Sequence, residues 1–201
     1  PLPSKFGRLL IVCLCVGPIH LGLLYTGLQT ASASAGSIIS QALIPMSSIL
    51  SVLFLREKIG WVRSLAIAVS FLGVMIMVYE PGAVSMDRGM IMLLLAYLAL
   101  AIGSVMMRTI PDIDWRQYVA WTAVLVFVLS LFATTMFETG HAAAWQQAGW
   151  KLIVVAAYAA LFVSIFAHGQ FFRLLQTYEV SQVVPLTLTI TLWACLLGVL
   201  L

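Results

Sequence analysis

Seven apolar runs, most of them close to twenty residues long and none with a charge in its middle, constrain this chain more than any other feature. They lie at about 9–29, 34–55, 64–79, 89–107, 117–137, 150–172 and 181–201. A helix needs roughly 20 apolar residues to cross a hydrocarbon core about 30 Å thick. The third run is short and borrows from its flanks. Composition agrees: 63% of residues are hydrophobic and 8% charged, against roughly 45–50% and about 25% in soluble domains. Such a surface cannot face water. The expected fold is all-α, a polytopic transmembrane helical bundle of about seven helices.

Basic residues sit between the runs and alternate in number. Lys5, Arg8, Arg56, Lys58, Arg63, Arg108, Arg116 and Arg173 fall in one set of loops, Arg88 and Lys151 in the other. The richer set belongs in the cytoplasm, so residues 1–8 are expected there; the chain is read as multi-pass, and its placement in the inner (plasma) membrane comes with the family resemblance given below. Basic residues scattered this way form no nucleic-acid face. Trp61, Trp115, Trp145 and Trp150 stand at span boundaries, as an interfacial aromatic belt requires. Cys13, Cys15 and Cys195 lie inside apolar runs without paired spacing, which suggests neither a disulfide framework nor a metal site. Pro1 to Arg8 reads as a loop without an initiating Met, and the chain stops inside an apolar run, so both ends read as cut.

An internal echo adds order. Leu28-Gln29-Thr30 recurs as Leu175-Gln176-Thr177, an offset of 147 residues, and Ser34, Leu50 and Leu53 meet Ser181, Leu197 and Leu200 at the same offset. The second span then maps onto the seventh. A repeat of five helices is odd, so its copies must cross the membrane in opposite senses, as in the inverted repeats of secondary transporters.

At these residues the sequence resembles the drug/metabolite transporter superfamily, in its ten-helix EamA-type branch. Ala31 to Ser37 are all small, Pro45 follows, and the run Ile49 to Leu55 leads into Arg56-Glu57-Lys58, with Arg56 where the family carries Gly and Glu57 matching. Ser181 to Leu186 resembles the opening of the family's ninth helix, with Thr191 where a Pro is usual. The resemblance implies a 5+5 inverted-repeat transporter of which this chain lacks about the first two helices and the last. Residues 1–80 would be the last three helices of the first EamA-like repeat and 81–201 the first four of the second.

Several residues are candidates for the transport path. With no Lys or Arg at depth, a neutral, zwitterionic or aromatic solute is expected, since a charge at the bilayer centre needs a purpose. Pro45 interrupts helical hydrogen bonding beside Ser34, Ser37, Gln41, Ser48 and Ser51, which share one helical face; they read either as interhelical contacts or as cavity lining. Gln41, with four hydrogen-bonding sites to satisfy, favours the cavity. His20 falls near mid-membrane on a face shared with Gly17, Leu24 and Gly27, and reads as a structural hydrogen-bonding group or as a solute or proton-coupling group. Tyr97, Tyr158 and Trp193 sit at mid-span, where their polar tips need interior partners; packing and pocket walls are the two readings. His168 and Gln170, about a turn from the inner boundary, read as an inner gate or an interface. Small residues four apart, Ala99 with Gly103 and Ala156 with Ala160, suit close helix approach.

No nucleophile, metal-ligand or phosphate-binding motif occurs, so neither enzyme nor cofactor is expected. The resemblance implies movement by alternating access, and export rather than uptake, of a small metabolite; with the neutral interior it makes a neutral or zwitterionic solute such as an amino acid the expected cargo, and the bilayer and that solute the partners. The alternatives are a seven-helix receptor or sensor, which makes the echo accidental, and an intramembrane enzyme, which needs a catalytic constellation at depth.

Overall fold

The computed structural model describes residues 5–31, 36, 39–57, 60–62, 64–69, 72, 88–110, 112–140, 145–146 and 148–187. All regular structure among them is helical. Helix α1 spans Phe6–Leu28, α2 Ser40–Leu55, α3 Arg88–Arg108, α4 Trp115–Phe137 and α5 Trp150–Thr177. The short helix α6, Val180–Val183, continues through the 3-10 turn Val184–Thr187. Helices α1, α3, α4 and α5 are each long and apolar enough to cross a membrane. Residues 61–62, just before the third apolar run, and 64–69 and 72 within it are also helical.

The sequence dictates where these helices bend and stop. Pro18 has no N–H to give the Leu14 carbonyl, and α1 widens to a π-helical turn over Cys15–Ile19 before resuming as an α-helix at His20. Helix α2 tightens to a 3-10 turn at Ser40–Ala42, runs as α-helix over Leu43–Leu50 and widens over Ser51–Leu55. It ends at Arg56, whose φ of 54° is left-handed, an unusual choice for a residue other than glycine. Helix α5 carries a long π-helical segment, Ala159–His168. Asp114 caps α4, its Oδ1 accepting the Arg116 N–H at 2.7 Å.

Contacts gather six helix ends on one side. Lys5, before α1, pairs with Asp112, between α3 and α4, at 3.2 Å. Glu57, after α2, meets Arg108 at the end of α3, and Gln176 near the end of α5 donates to the Ile113 carbonyl. Tyr118 of α4 is fully buried with its hydroxyl 3.4 Å from the Met107 and Ile110 carbonyls at and just past the end of α3. This is the end rich in Lys and Arg. Helix α1 leaves it and α2 returns to it, whereas α5 arrives and α6 leaves.

Helix α3 is the centre of the packing, against α1, α2 and the last part of α5. Bare backbone makes the tightest crossing possible: a Cβ built on Gly27 would lie 2.8 Å from the Gly89 carbonyl oxygen. Gly103 likewise admits Val16 and Cys15, whereas Ala156 and Ala160 lie exposed. Helices α4 and α5 present exposed Phe127, Phe132, Phe162 and Phe166, the apolar exterior a bilayer solvates. Trp61, Trp145 and Trp150 are exposed at the boundaries, but Trp115 turns inward and its ring fills the space beside Gly169.

Candidate functional site

Two apolar clusters divide the interior. Nearer the basic end, Leu9, Val12, Val16, Leu43, Ile44, Ala101, Val105 and Leu175 belong to the larger one. Toward the other end Ile39, Met90 and Leu93 form the smaller, with Leu24 and Leu94 against it. Tyr97 packs against both. Between the clusters α1 carries His20, α2 Ser40 and Gln41, and α3 Ala96 and Tyr97, alongside apolar neighbours such as Leu21 and Leu98. A polar layer crosses the bundle at mid-depth.

His20 is its anchor. The side chain is buried, and its Nδ1 lies 2.9 Å from the Ala96 carbonyl oxygen. The Tyr97 ring meets the imidazole edge-on, with centroids 5.5 Å apart, and the Tyr97 side chain hydrogen-bonds with that of Ser40. Gln41 follows Ser40, half-buried in the 3-10 turn. Pro45, one turn on, is fully buried and cannot donate to the Gln41 carbonyl; the Leu43 N–H takes up the Ser40 and Gln41 carbonyls instead. Ser51 donates to the Ser48 carbonyl at 2.9 Å, while Ser34 and Ser37 lie outside the described residues.

His168 closes the π-helical segment of α5 and is exposed. Its ring lies 6.2 Å from that of Phe172. Gln170, half-buried, follows the Gly169–Trp115 contact. Tyr158 is 59% exposed and stacks on Phe162 at 5.4 Å rather than on the His20–Tyr97 pair. Trp193 and His141 lie outside the described residues.

The structure therefore brings together His20, Tyr97 and Ser40, with Gln41 and Pro45 on the same helix as Ser40. Gly17 and Gly27, which share the His20 face, accommodate neighbouring helices: Thr122 meets the first and Gly89 the second. Ser40 and Pro18 belong to this setting but were not among the sequence candidates. Pro18 was readable, a helix-interior proline two residues ahead of His20 whose widened turn sets where that ring enters the bundle. The layer offers an imidazole, a phenol, a hydroxyl and an amide. These are hydrogen-bonding groups of both polarities, without a fixed charge.

Comparison with known proteins adds one finding. Residues 1–79 match the family described as the EamA-like transporter family, a stretch that includes α1, α2 and the helical residues after them. No curated protein and no solved structure matches the chain.

Proposed function

We propose that this chain is a membrane transporter of the drug/metabolite class whose cargo is a small neutral or zwitterionic metabolite, a reading supported by the match of residues 1–79 to the EamA-like transporter family. Amino acids are the leading class. Movement is outward across a bacterial inner membrane, by alternating access, with the basic end in the cytoplasm as the distribution of Lys and Arg favours.

The observation that carries this reading is the polar layer between two apolar clusters. A polar group left unpaired in hydrocarbon costs several kcal/mol, so a layer of them is stable only if paired internally or exposed to water or solute. His20, Gln41, Pro45 and Tyr97 line it in this reading, with His168 and Gln170 toward the inner mouth. The absence of fixed charge among its described members suits a solute with no net charge; a phosphorylated cargo would call for a cation. The imidazole of His20 supports a proton-coupled reading as well. The opposite senses of α1–α2 and α5–α6 support the division into inverted repeats at 1–80 and 81–201, whose interface is where such transporters bind solute.

Purified protein in vesicles, preloaded with single amino acids or sugar phosphates, tests it. Counterflow of labelled amino acid is the expected result. Exchange confined to phosphorylated solutes, or none with any neutral or zwitterionic metabolite, overturns the reading.

A further inference from the structure

We propose that Glu57 latches a gate at the basic end of the bundle, holding the path toward the polar layer shut in the conformation seen here. The inference rests on the alternating-access reading but concerns residues outside the polar layer. Arg56 turns the chain back in a left-handed conformation, and the next side chain, Glu57, enters the protein rather than the solvent: it is 7% exposed. Its Oε1 accepts the N–H of Val180 at 3.1 Å and its Oε2 that of Ser181 at 3.4 Å. A carboxylate from α2 thus caps the first turn of α6, 123 residues away.

The cap is imported although a local one was at hand. Glu179 occupies the N-cap position of α6 but makes no side-chain cap there; its carboxylate accepts from Gln182 at 3.0 Å. A helix capped by its own neighbour keeps that cap in every conformation. One capped from another helix keeps it only while the two helices touch, so the first-turn N–H groups of α6 become sensors of that contact.

Arg108 extends the latch. Its Nε lies 3.7 Å from Glu57 Oε1, and its guanidinium donates to the Leu175 carbonyl at 3.4 Å and to the Tyr178 carbonyl. One ion pair therefore joins the ends of α2, α3 and α5 to the start of α6. Behind it Val180, Val183, Val184, Leu175 and Ile110 form a buried apolar plug. Charge-assisted hydrogen bonds of this kind are strong while dry, yet both ions and the helix terminus rehydrate if α2 and α6 part, so the open state carries no stranded buried charge. The Lys5–Asp112 pair at the same end has side chains 39% and 71% exposed and cannot serve this way.

The test reads access at Ser181, which is 4% exposed behind the latch. In protein with Cys13, Cys15 and Cys195 replaced by Ala, Ser181→Cys is labelled in vesicles by a membrane-impermeant thiol reagent applied from the basic end. Adding Glu57→Gln, which keeps the side chain's size but loses the charge, should raise the labelling rate roughly fivefold or more. Asp112→Asn should leave it unchanged. Met90→Cys, buried in the cluster at the opposite end, reports general loosening and should stay unreactive. An unchanged rate with Glu57→Gln, an equal rise with Asp112→Asn, or a parallel rise at Met90→Cys overturns the proposal. No solute enters the measurement, so its failure is separate from failure of the transport reading.

Discussion

His20 and Ala96 are joined by a hydrogen bond of 2.9 Å from imidazole Nδ1 to a main-chain carbonyl oxygen, and since the carbonyl only accepts, the ring carries its proton on Nδ1. The neutral ring then offers Nε2 as an acceptor. One nitrogen is structural, and the other is available to chemistry.

That division can be tested with two replacements. Asn at position 20 places an amide donor near the position of Nδ1, while Ala removes both nitrogens. His20→Ala should lower stability by about 1–3 kcal/mol through the lost bond and emptied space. His20→Asn should restore much of the melting temperature, yet transport by both variants should fall about tenfold or more, equivalent to ~1.4 kcal/mol of barrier. Normal transport by His20→Asn would make His20 purely structural.

Gln41→Ala should reduce transport in vesicles far more than it reduces the amount of folded protein. Trp61→Ala, at a site 78% exposed, should do the reverse, lowering membrane yield without changing the rate per molecule. Equal effects of Gln41→Ala on the two quantities would remove Gln41 from the path.

Glycine replacements separate packing from helix propensity. Gly27→Ala puts a methyl group 2.8 Å from a backbone oxygen and should destabilise by about 1–3 kcal/mol in thermal melts. Gly22, on the same helix with nothing within 4 Å of the added carbon, should tolerate Ala and gain up to about 1 kcal/mol. Similar melting temperatures for the two variants would contradict the crossing.

The acidic residues before α4 should differ as sharply. Asp114→Ala removes an N-cap and should cost about 0.5–2 kcal/mol. Asp112→Ala breaks only an exposed pair and should cost about 0–1 kcal/mol.

Orientation is decided by labelling. Gly60 is exposed, and an added side chain there meets nothing within 4 Å. Gly60→Cys in intact cells, with the native cysteines removed, should resist an impermeant thiol reagent and react once the membrane is opened. Labelling from outside would reverse the orientation.

Much of the fold was legible because membrane spans announce themselves locally. The runs read as 89–107 and 117–137 are the helices Arg88–Arg108 and Trp115–Phe137, bounded where charges and Trp residues stop the apolar sequence. The first run, 9–29, is helix Phe6–Leu28, and the sixth, 150–172, extends to Thr177, because a helix does not end where its hydrophobicity does. Of the site, His20, Gln41 and Tyr97 stand out in the sequence because polar groups at depth need partners, and burial of His20 against Tyr97 follows from that need. Tyr158 shows the weakness of depth alone: it fixes a residue's height in the membrane but not the direction it faces. Partners far apart in sequence were beyond reach. Glu57 was readable as a family position, but nothing local connects it to Val180. Gln176, noticed as half of a repeated triplet, holds the Ile113 carbonyl.

The crossing of α1 and α3 has an evolutionary consequence. A Cβ on Gly27 would strike the Gly89 carbonyl oxygen, and a Cβ on Gly89 would come within 2.6 Å of the Gly27 carbonyl oxygen. Each obstacle is main chain, which no substitution at the partner position can trim. Ordinary compensation, in which a larger residue is forgiven by a smaller one opposite, is closed to this pair because both are already minimal. Neither position can drift first, and a search for second-site suppressors of Gly27→Ala should find none at residue 89 and should recover instead changes that shift one whole helix against the other.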